Sequence, residues 1–265
     1  MHRMPQSTST MGNEEIKSSR RKFLKNAVTL AGATIGYTWL KSSKVLLFAA
    51  EPEDESLPYY GIVIDIQKCI GCGNCAKACK KENDVPVEPF FFRTWVEQYT
   101  VKNDGTVNIV SPNGGIDGFT QTVADEDIFK SFFVPKMCNH CSKSPCTQVC
   151  PVGATYESPE GVVLIDEKYC IGCRYCVQAC PYGCRFIHPV KKVANKCTLC
   201  YHRLKKGLAP ACMETCPTGA RMYGNLRDKK SDLVKFLKEH TTQVLRPHLN
   251  TGSKLYYNAL SSEVR

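Results

Sequence analysis

The 265-residue sequence lacks the short motifs that identify several large enzyme classes. It has no Walker-type phosphate loop, no dinucleotide-binding G-x-G-x-x-G and no set typical of a Ser-His-Asp triad. Its apolar run over residues 27–40 has fourteen residues, whereas a membrane-spanning helix needs about 20. The sequence therefore gives no support for nucleotide chemistry, serine hydrolysis or a typical membrane span.

Acidic residues are also few beside basic ones, with 25 Asp and Glu against 35 Lys and Arg, and the net charge is +10. Residues 1–50 hold eight of the basic residues and two of the acidic ones. Because much of the excess lies in this leader, and no nucleic-acid-binding module follows it, we expect no nucleic-acid partner.

The leader has the order of an export signal. Residues 19–25, SRRKFLK, resemble the twin-arginine signal, and the apolar run of residues 27–40 and an acidic EPEDES follow. We expect export by the twin-arginine route, to the periplasm or the outer face of the cytoplasmic membrane. Cleavage after Ala50 and retention as an uncleaved anchor both remain open.

Cysteine, in contrast, is abundant, with seventeen residues in the chain. Sixteen fall into four similar groups, each ending in C-x3-C, and three of the groups continue directly into proline. The groups are Cys69, Cys72, Cys75 and Cys79; Cys138, Cys141, Cys146 and Cys150; Cys170, Cys173, Cys176 and Cys180; and Cys197, Cys200, Cys212 and Cys216. Cys184 is left over. It occupies a place filled by alanine in two other groups, so we expect it to pack as a small apolar residue.

This spacing is typical of iron–sulfur ligands. Three closely spaced cysteines can wrap one cluster, and the fourth points away toward a neighbouring cluster, as in bacterial ferredoxins. The motifs should therefore work in pairs. Four thiolates would also bind zinc, and exported cysteine-rich chains are usually disulfide-bonded, but neither alternative explains the repeated fourth cysteine.

With these motifs, residues 59–226 resemble the four-cluster ferredoxin subunit of complex iron–sulfur molybdoenzymes. Relatives include the small subunits of dimethyl sulfoxide, polysulfide, tetrathionate and arsenate reductases, and the segment KCTLCYHRLKKGLAPACMETCPTGAR is closest to the polysulfide and tetrathionate branch. The resemblance implies four [4Fe–4S] clusters, since neither tryptophan falls in a motif. It also implies crosswise ligand sets, which we call sites A to D. Site A has Cys69, Cys72, Cys75 and Cys216; site B has Cys197, Cys200, Cys212 and Cys79; site C has Cys138, Cys141, Cys146 and Cys180; site D has Cys170, Cys173, Cys176 and Cys150.

The expected fold is α+β, with two ferredoxin-like lobes and the second inserted within the first. The first lobe would comprise residues 58–98 and 190–230, and the second residues 135–189. Residues 99–134 would form an insertion with a hairpin at Asp104-Gly105, which either docks a partner or covers a lobe. A second hairpin is expected across residues 159–161. Residues 231–265 would form one short helix, capped by Ser231, and a tail extended on another surface.

The resemblance also implies a function. We expect an electron-transfer subunit without catalytic residues, relaying single electrons between an integral membrane quinol-oxidising subunit and a molybdopterin catalytic subunit, and associated with the membrane through these partners. Alternatives are the iron–sulfur subunit of a hydrogenase or cytochrome nitrite reductase chain, a free exported ferredoxin shuttle, and a small reductase that uses Cys184. His140 and His202 lie near motif cysteines, but we expect hydrogen bonding from them rather than ligation, because the cysteine sets are complete.

Overall fold

The computed structural model describes residues 56–88 and 90–264, so the predicted export signal lies outside the described residues. Within them there are eleven strands and six α-helices. The strands are β1 (Tyr60–Asp65), β2 (Thr94–Lys102), β3 (Val107–Val110), β4 (Ile128–Met137), β5 (Thr155–Glu157), β6 (Val163–Ile165), β7 (Phe186–Ile187), β8 (Ala194–Asn195), β9 (Arg221–Asn225), β10 (Thr242–Gln243) and β11 (Leu255–Asn258). The helices are α1 (Asn74–Glu82), α2 (Pro145–Gln148), α3 (Tyr175–Ala179), α4 (Tyr201–Leu204), α5 (Ala211–Glu214) and α6 (Asp232–Glu239).

Strands from both ends of the described chain form the first sheet, in the order β10-β11-β1-β9. Strand β1, which leads into the first cysteine motif, is antiparallel to β9, which follows the fourth motif. The apolar run Ile62–Ile64 in β1 is buried on both faces, and Val63 packs against Leu233 and Phe236 of α6. The sheet therefore brings the first and fourth motifs side by side.

The predicted insertion forms a sheet of its own, in the order β3-β2-β4. Strands β2 and β3 make the hairpin expected at Asp104-Gly105, and Gly105 has a φ of +83°, which a glycine adopts without strain. This sheet reaches the first motif, because the ring of Phe133 lies against Gly71 and the carbonyl of Gly115 lies against Gly73. The insertion thus covers the first motif.

Two shorter hairpins follow. Strands β5 and β6 pair antiparallel around residues 158–162, as the sequence predicted, and β7 pairs antiparallel with β8. The β5–β6 hairpin joins the second and third motifs, whose helices α2 and α3 lie in contact. The described chain is thus a mixed α/β fold with many short elements, in which the cysteine loops occupy much of the interior.

Short helices occur at the third cysteine of every motif: Cys75 lies in α1, Cys146 in α2, Cys176 in α3 and Cys212 in α5. Helix α6 is also where the sequence placed it. Ser231 is its N-cap residue, but its side chain makes no capping hydrogen bond.

The prediction that the tail lies extended on another surface is wrong. Strand β11 lies within the first sheet and pairs parallel with β1 and antiparallel with β10. Leu255 and Tyr257 are fully buried, and the Tyr257 hydroxyl donates to the Pro135 carbonyl of β4 at 3.0 Å. Burial of these two side chains stabilises the tail in the core of its own chain.

None of the helices described here is long and apolar enough to cross a membrane.

Candidate iron–sulfur sites

The first-motif loop depends on backbone conformations that glycine favours. Gly71 and Gly73 have φ of +72° and +68°, and a Cβ on Gly73 would lie 2.2 Å from the Gly115 oxygen. In the third motif, Gly172 repeats the first of these positions at +68°, whereas Arg174 occupies the second at +69°. The two loops therefore share one shape. Each loop leads into a short helix whose second residue is the third cysteine of the motif.

Site A is a cleft with about 320 Å³ of empty space between the first and fourth motifs. All four cysteines predicted for this site line it: Cys69, Cys72, Cys75 and Cys216. Burial raises the pKa of Cys69 to about 11. Cys72 is exposed to solvent, so this site reaches the surface of the chain.

Site B is a second cleft, with about 270 Å³ of empty space. It is lined by the crosswise set predicted from the resemblance: Cys79, Cys197, Cys200 and Cys212. All four are buried. Burial is the largest cause that raises the pKa of Cys79 well above its ordinary value, and the thiols of Cys197 and Cys212 raise it further. The two clefts are thus lined by the cysteine groups expected if Cys79 and Cys216 are exchanged between motifs.

Site C brings together cysteines of the second and third motifs. Burial raises the pKa of Cys141 to about 11. The other three cysteines predicted for this site act on it in the same direction: Cys138, Cys146 and Cys180. The C-terminal tail also contacts this site, because the Lys143 amide donates to the Thr251 carbonyl at 2.9 Å and the Thr251 hydroxyl lies 2.6 Å from the Tyr182 hydroxyl. The tail therefore holds the loop of this site.

Site D lies at the third motif. Burial raises the pKa of Cys176, and Cys170 and Cys150 raise it further. The Ala194 amide donates to the Cys170 sulfur at 3.3 Å. Cys173 is exposed, and Ile171 and Tyr175 beside it expose more than half of their surface. Site D, like site A, therefore opens to the surface.

Electrostatic interactions between cysteines of different sites, together with one packing cluster, put the sites in the order A, B, C, D. Cys75 of site A raises the pKa of Cys212 of site B, although less than burial does. Burial and, as the second cause, Cys138 of site C raise the pKa of Cys197 of site B to about 12. Cys146 of site C and Cys176 of site D belong to one buried cluster. The sites with an exposed cysteine are thus the two ends of the row.

Buried basic residues, which sequence reasoning missed, lie among the sites. Arg221 lines the cleft of site A, Arg93 that of site B, and Arg185 donates to the Cys146 sulfur of site C at 2.9 Å. The sequence held a signal for two of them. Arg185 and Arg221 each follow a C-P-x-G-[AC] segment at the same offset from Cys180 and Cys216.

The two histidines near motif cysteines each form a hydrogen bond with another part of the chain. His140 is fully buried, and its Nδ1 accepts from the Val163 amide at 3.1 Å, so its proton lies on Nε2, which has no protein partner. Burial lowers its pKa well below the ordinary range and keeps the ring neutral. His202 bonds to Glu82 at 2.7 Å. With its Nδ1 lone pair used by the Val163 amide and a proton on Nε2, the neutral His140 ring has no free lone pair for a metal ion.

Cys184 is the remaining cysteine and is buried in the main core. Its thiol bonds to the Met137 carbonyl at 3.1 Å, and all seventeen cysteines are free. Among the described residues, no group of three or more Cys, His, Asp or Glu side chains is placed to hold a single metal ion. The donor set in each cleft is four thiols around a space, which fits a [4Fe–4S] cube.

The chain matches two models of the 4Fe-4S dicluster domain, over residues 68–154 and residues 129–226. It is also 37% identical, over 246 residues, to the B subunit of tetrathionate reductase from Salmonella typhimurium, covering 92% of this chain and 89% of that protein. The chain belongs to the 4Fe-4S dicluster family of iron–sulfur subunits. The counterpart from Archaeoglobus fulgidus is 44% identical, over 76% of this chain and 83% of that protein.

A third member of the family is the arsenate respiratory reductase iron–sulfur subunit ArrB of a Shewanella species, which is 31% identical over 74% of this chain and 94% of its own length. Together the two dicluster matches span residues 68–226. This range contains all sixteen cysteines of the four motifs. The family assignment therefore rests on the same residues as the geometry.

Proposed function

We propose that the chain is the electron-transfer subunit of a molybdoenzyme complex and that it holds four [4Fe–4S] clusters in sites A to D. The observation that carries this proposal is the crosswise grouping of thiols, since each of two clefts is lined by three cysteines of one motif and the last cysteine of another. A bound [4Fe–4S] cluster accepts and releases one electron at a time. The chain supplies the spacing, the insulation from water and the charge around each site.

The row of sites supports a relay. Sites A and D each have an exposed cysteine, Cys72 and Cys173, while every cysteine of site B is buried. We propose that the two ends face different partners, a molybdopterin catalytic subunit and an integral membrane quinol-oxidising subunit. The relatives support the first of these, because they are named as subunits of tetrathionate and arsenate reductases. The membrane partner follows from the family resemblance alone.

The nested arrangement of two ferredoxin-like lobes is part of the same proposal. The pairing of β1 with β9 joins the first and fourth motifs, and the β5–β6 hairpin joins the second and third between them in sequence. We also propose export by the twin-arginine route, supported by residues 19–25. This route carries folded proteins, so clusters inserted in the cytoplasm would be retained.

Iron counting in paired variants tests the crosswise assignment. The wild-type chain, purified anaerobically, should hold about 16 iron atoms in four cubes. The double variant Cys216→Ser/Cys69→Ser removes two ligands of one proposed site and should lose one cluster, leaving about 12 iron atoms. The double variant Cys216→Ser/Cys200→Ser removes ligands from two sites and should leave about 8.

Ligation within single motifs reverses these two values, so the pair of variants decides between the assignments. Cys184→Ser is the matched control, because this cysteine belongs to no proposed site and its loss should leave the iron content unchanged. A colourless wild-type protein would refute the whole proposal. Co-purification of the wild-type chain from membranes with a molybdenum-containing subunit tests the proposed partner.

A further inference from the structure

Three buried cations lie between consecutive sites. Arg221 lines the cleft of site A, and its guanidinium contacts Thr94 at 2.8 Å and Met137 at 3.5 Å, both of which line the cleft of site B. This arginine therefore stands in the wall that the two sites share.

Arg185 takes the same place between sites C and D. Its Nη2 donates to the Cys146 sulfur of site C at 2.9 Å, and Cys146 packs with Cys176 of site D in one buried cluster. Its Nη1 donates to the Thr155 hydroxyl at 3.2 Å, and Thr155 begins β5, which follows Cys150 of site D in the chain. Arg185 and Arg221 occupy equivalent positions of the repeat, so the repeat itself supplies both cations.

Lys196 occupies the middle gap. Its ammonium group donates to the Cys197 carbonyl of site B at 2.7 Å and to the Val163 carbonyl. Val163 packs in the buried cluster that contains Cys146 of site C. Each gap in the row A, B, C, D thus holds one buried cation.

These cations have no acidic partner in the part of the chain that the structure describes. Arg221, Arg185 and Lys196 are at most 5% exposed, and within the described residues none of them forms an ion pair with Asp or Glu. An unpaired buried charge is strongly unfavourable. The groups that can balance these charges are the thiolates of the sites on either side, and a cluster with four thiolates carries about −2.

Building on the proposed four-cluster relay, we propose that Arg221, Lys196 and Arg185 are shared counter-charges, each raising the reduction potentials of the two clusters between which it lies. Reduction adds negative charge to a site, and a fixed cation nearby stabilises that charge. One cation beside two clusters shifts the reduction potentials of both in the same direction. It therefore changes the driving force for electron transfer between these two clusters less than the driving force for transfer to the other clusters of the row.

Neutral variants give a test that needs no prior assignment of potentials to sites. In the purified full-length holoprotein, the four midpoint potentials are measured by redox titration followed by electron paramagnetic resonance. Arg221→Gln should lower two potentials by at least a tenfold change in the reduction equilibrium, which is about 59 mV for one electron, and leave two unchanged. Arg185→Gln should lower the complementary two. Lys196→Gln should lower one potential from each pair.

Two matched controls sharpen this test. Arg93 is buried and bonds to Asn195, but it lines site B alone, so Arg93→Gln should lower a single potential. Lys235 pairs with Asp232 on the exposed face of α6, and Lys235→Gln should move none. Arg221→Lys and Arg185→Lys keep the charge and should shift the same pairs by less than the glutamine variants do.

The pattern of shifts decides the outcome. The inference is overturned if Arg221→Gln moves one potential, none or all four, or if the Arg221 and Arg185 variants move the same pair. Should Arg221→Gln or Arg185→Gln lose iron, the corresponding lysine variant carries the test, since its smaller shifts must still fall on one pair. Lys196→Arg replaces Lys196→Gln in the same case, and its smaller shifts must fall on one potential from each pair. A wild-type protein without four clusters refutes the proposed function, whereas four clusters without paired shifts refute the shared counter-charges alone.

Discussion

The contact between Gly73 and the insertion offers a sharp test of how the site A loop is held. Gly73 and Arg174 cap helices α1 and α3 with nearly the same backbone, φ and ψ of 68° and −2° against 69° and −1°. Because arginine is accepted at residue 174 of the third motif, the positive φ alone does not require glycine at residue 73 of the first. The difference lies in the neighbour, since a Cβ on Gly73 would come within 2.2 Å of the Gly115 oxygen.

The expected loss can be divided into two parts. A non-glycine residue with left-handed backbone costs about 1–2 kcal/mol. Ordinary carbon–oxygen contacts lie at roughly 3.3–3.6 Å, so Gly73→Ala also forces the loop and the insertion apart by about 1 Å, and such overpacking costs about 1–3 kcal/mol. The sum is about 3 kcal/mol, which for a domain of this size lowers the melting temperature by about 6–12 °C.

Gly105→Ala isolates the first part. Gly105 has a φ of +83° at a hairpin turn, and a Cβ added there would meet no atom within 4 Å, so its replacement should lower the melting temperature by about 2–8 °C. Arg174→Gly, which relieves the strained φ in the equivalent loop, should leave stability unchanged or raise it by about 1 kcal/mol.

Loss of the cluster absorbance during anaerobic heating, at one fixed scan rate, measures these effects, because unfolding with cluster loss is irreversible. Gly73→Ala should also reduce the iron content by up to one cluster, from about 16 to about 12 atoms. If Gly73→Ala and Gly105→Ala lowered the melting temperature equally, the reasoning would be refuted, since the contact with the Gly115 oxygen would then not affect stability.

Two further predictions concern the core. Tyr257→Phe removes the hydrogen bond to the buried Pro135 carbonyl and should destabilise the holoprotein by about 1–3 kcal/mol, seen as a lower melting temperature with unchanged iron content; no change would mean that this bond does not join the sheets. Cys184→Ala should cost about 1 kcal/mol, as for the loss of one small buried group, and leave electron transfer to the partner intact. Loss of electron transfer in that variant, with all iron retained, would instead support the reactive-thiol alternative.

The sequence predicted well what depends on local pattern. The Asp104-Gly105 hairpin, the hairpin across residues 159–161 and the short helix after Ser231 all follow from turn residues and short-range pattern. The grouping of Cys79 and Cys216 with distant cysteines was available only through the family resemblance, because spacing indicates that a fourth thiol points away but does not say to which loop.

The long-range pairing of β11 with β1 and the burial of Arg185 and Arg221 could not be predicted from local pattern. Strand β11 has four residues, and its parallel pairing with β1 spans almost the whole described chain, so nothing local marks it as a core strand. Arg221 and Arg185 read as ordinary basic residues, since the thiols that justify their burial come from other motifs. Their shared offset after C-P-x-G was the signal that the sequence did contain.

The position of β11 determines when the protein can finish folding. Strand β1 needs β11 on one edge, and β11 follows all four cysteine motifs in the chain, so a nascent chain that ends before residue 258 has an incomplete first sheet. Thr251, which holds the loop of site C, emerges just before it. The first sheet and the loop of site C can therefore close only after all four cysteine motifs have been synthesised, and a truncation before residue 251 would leave both incomplete.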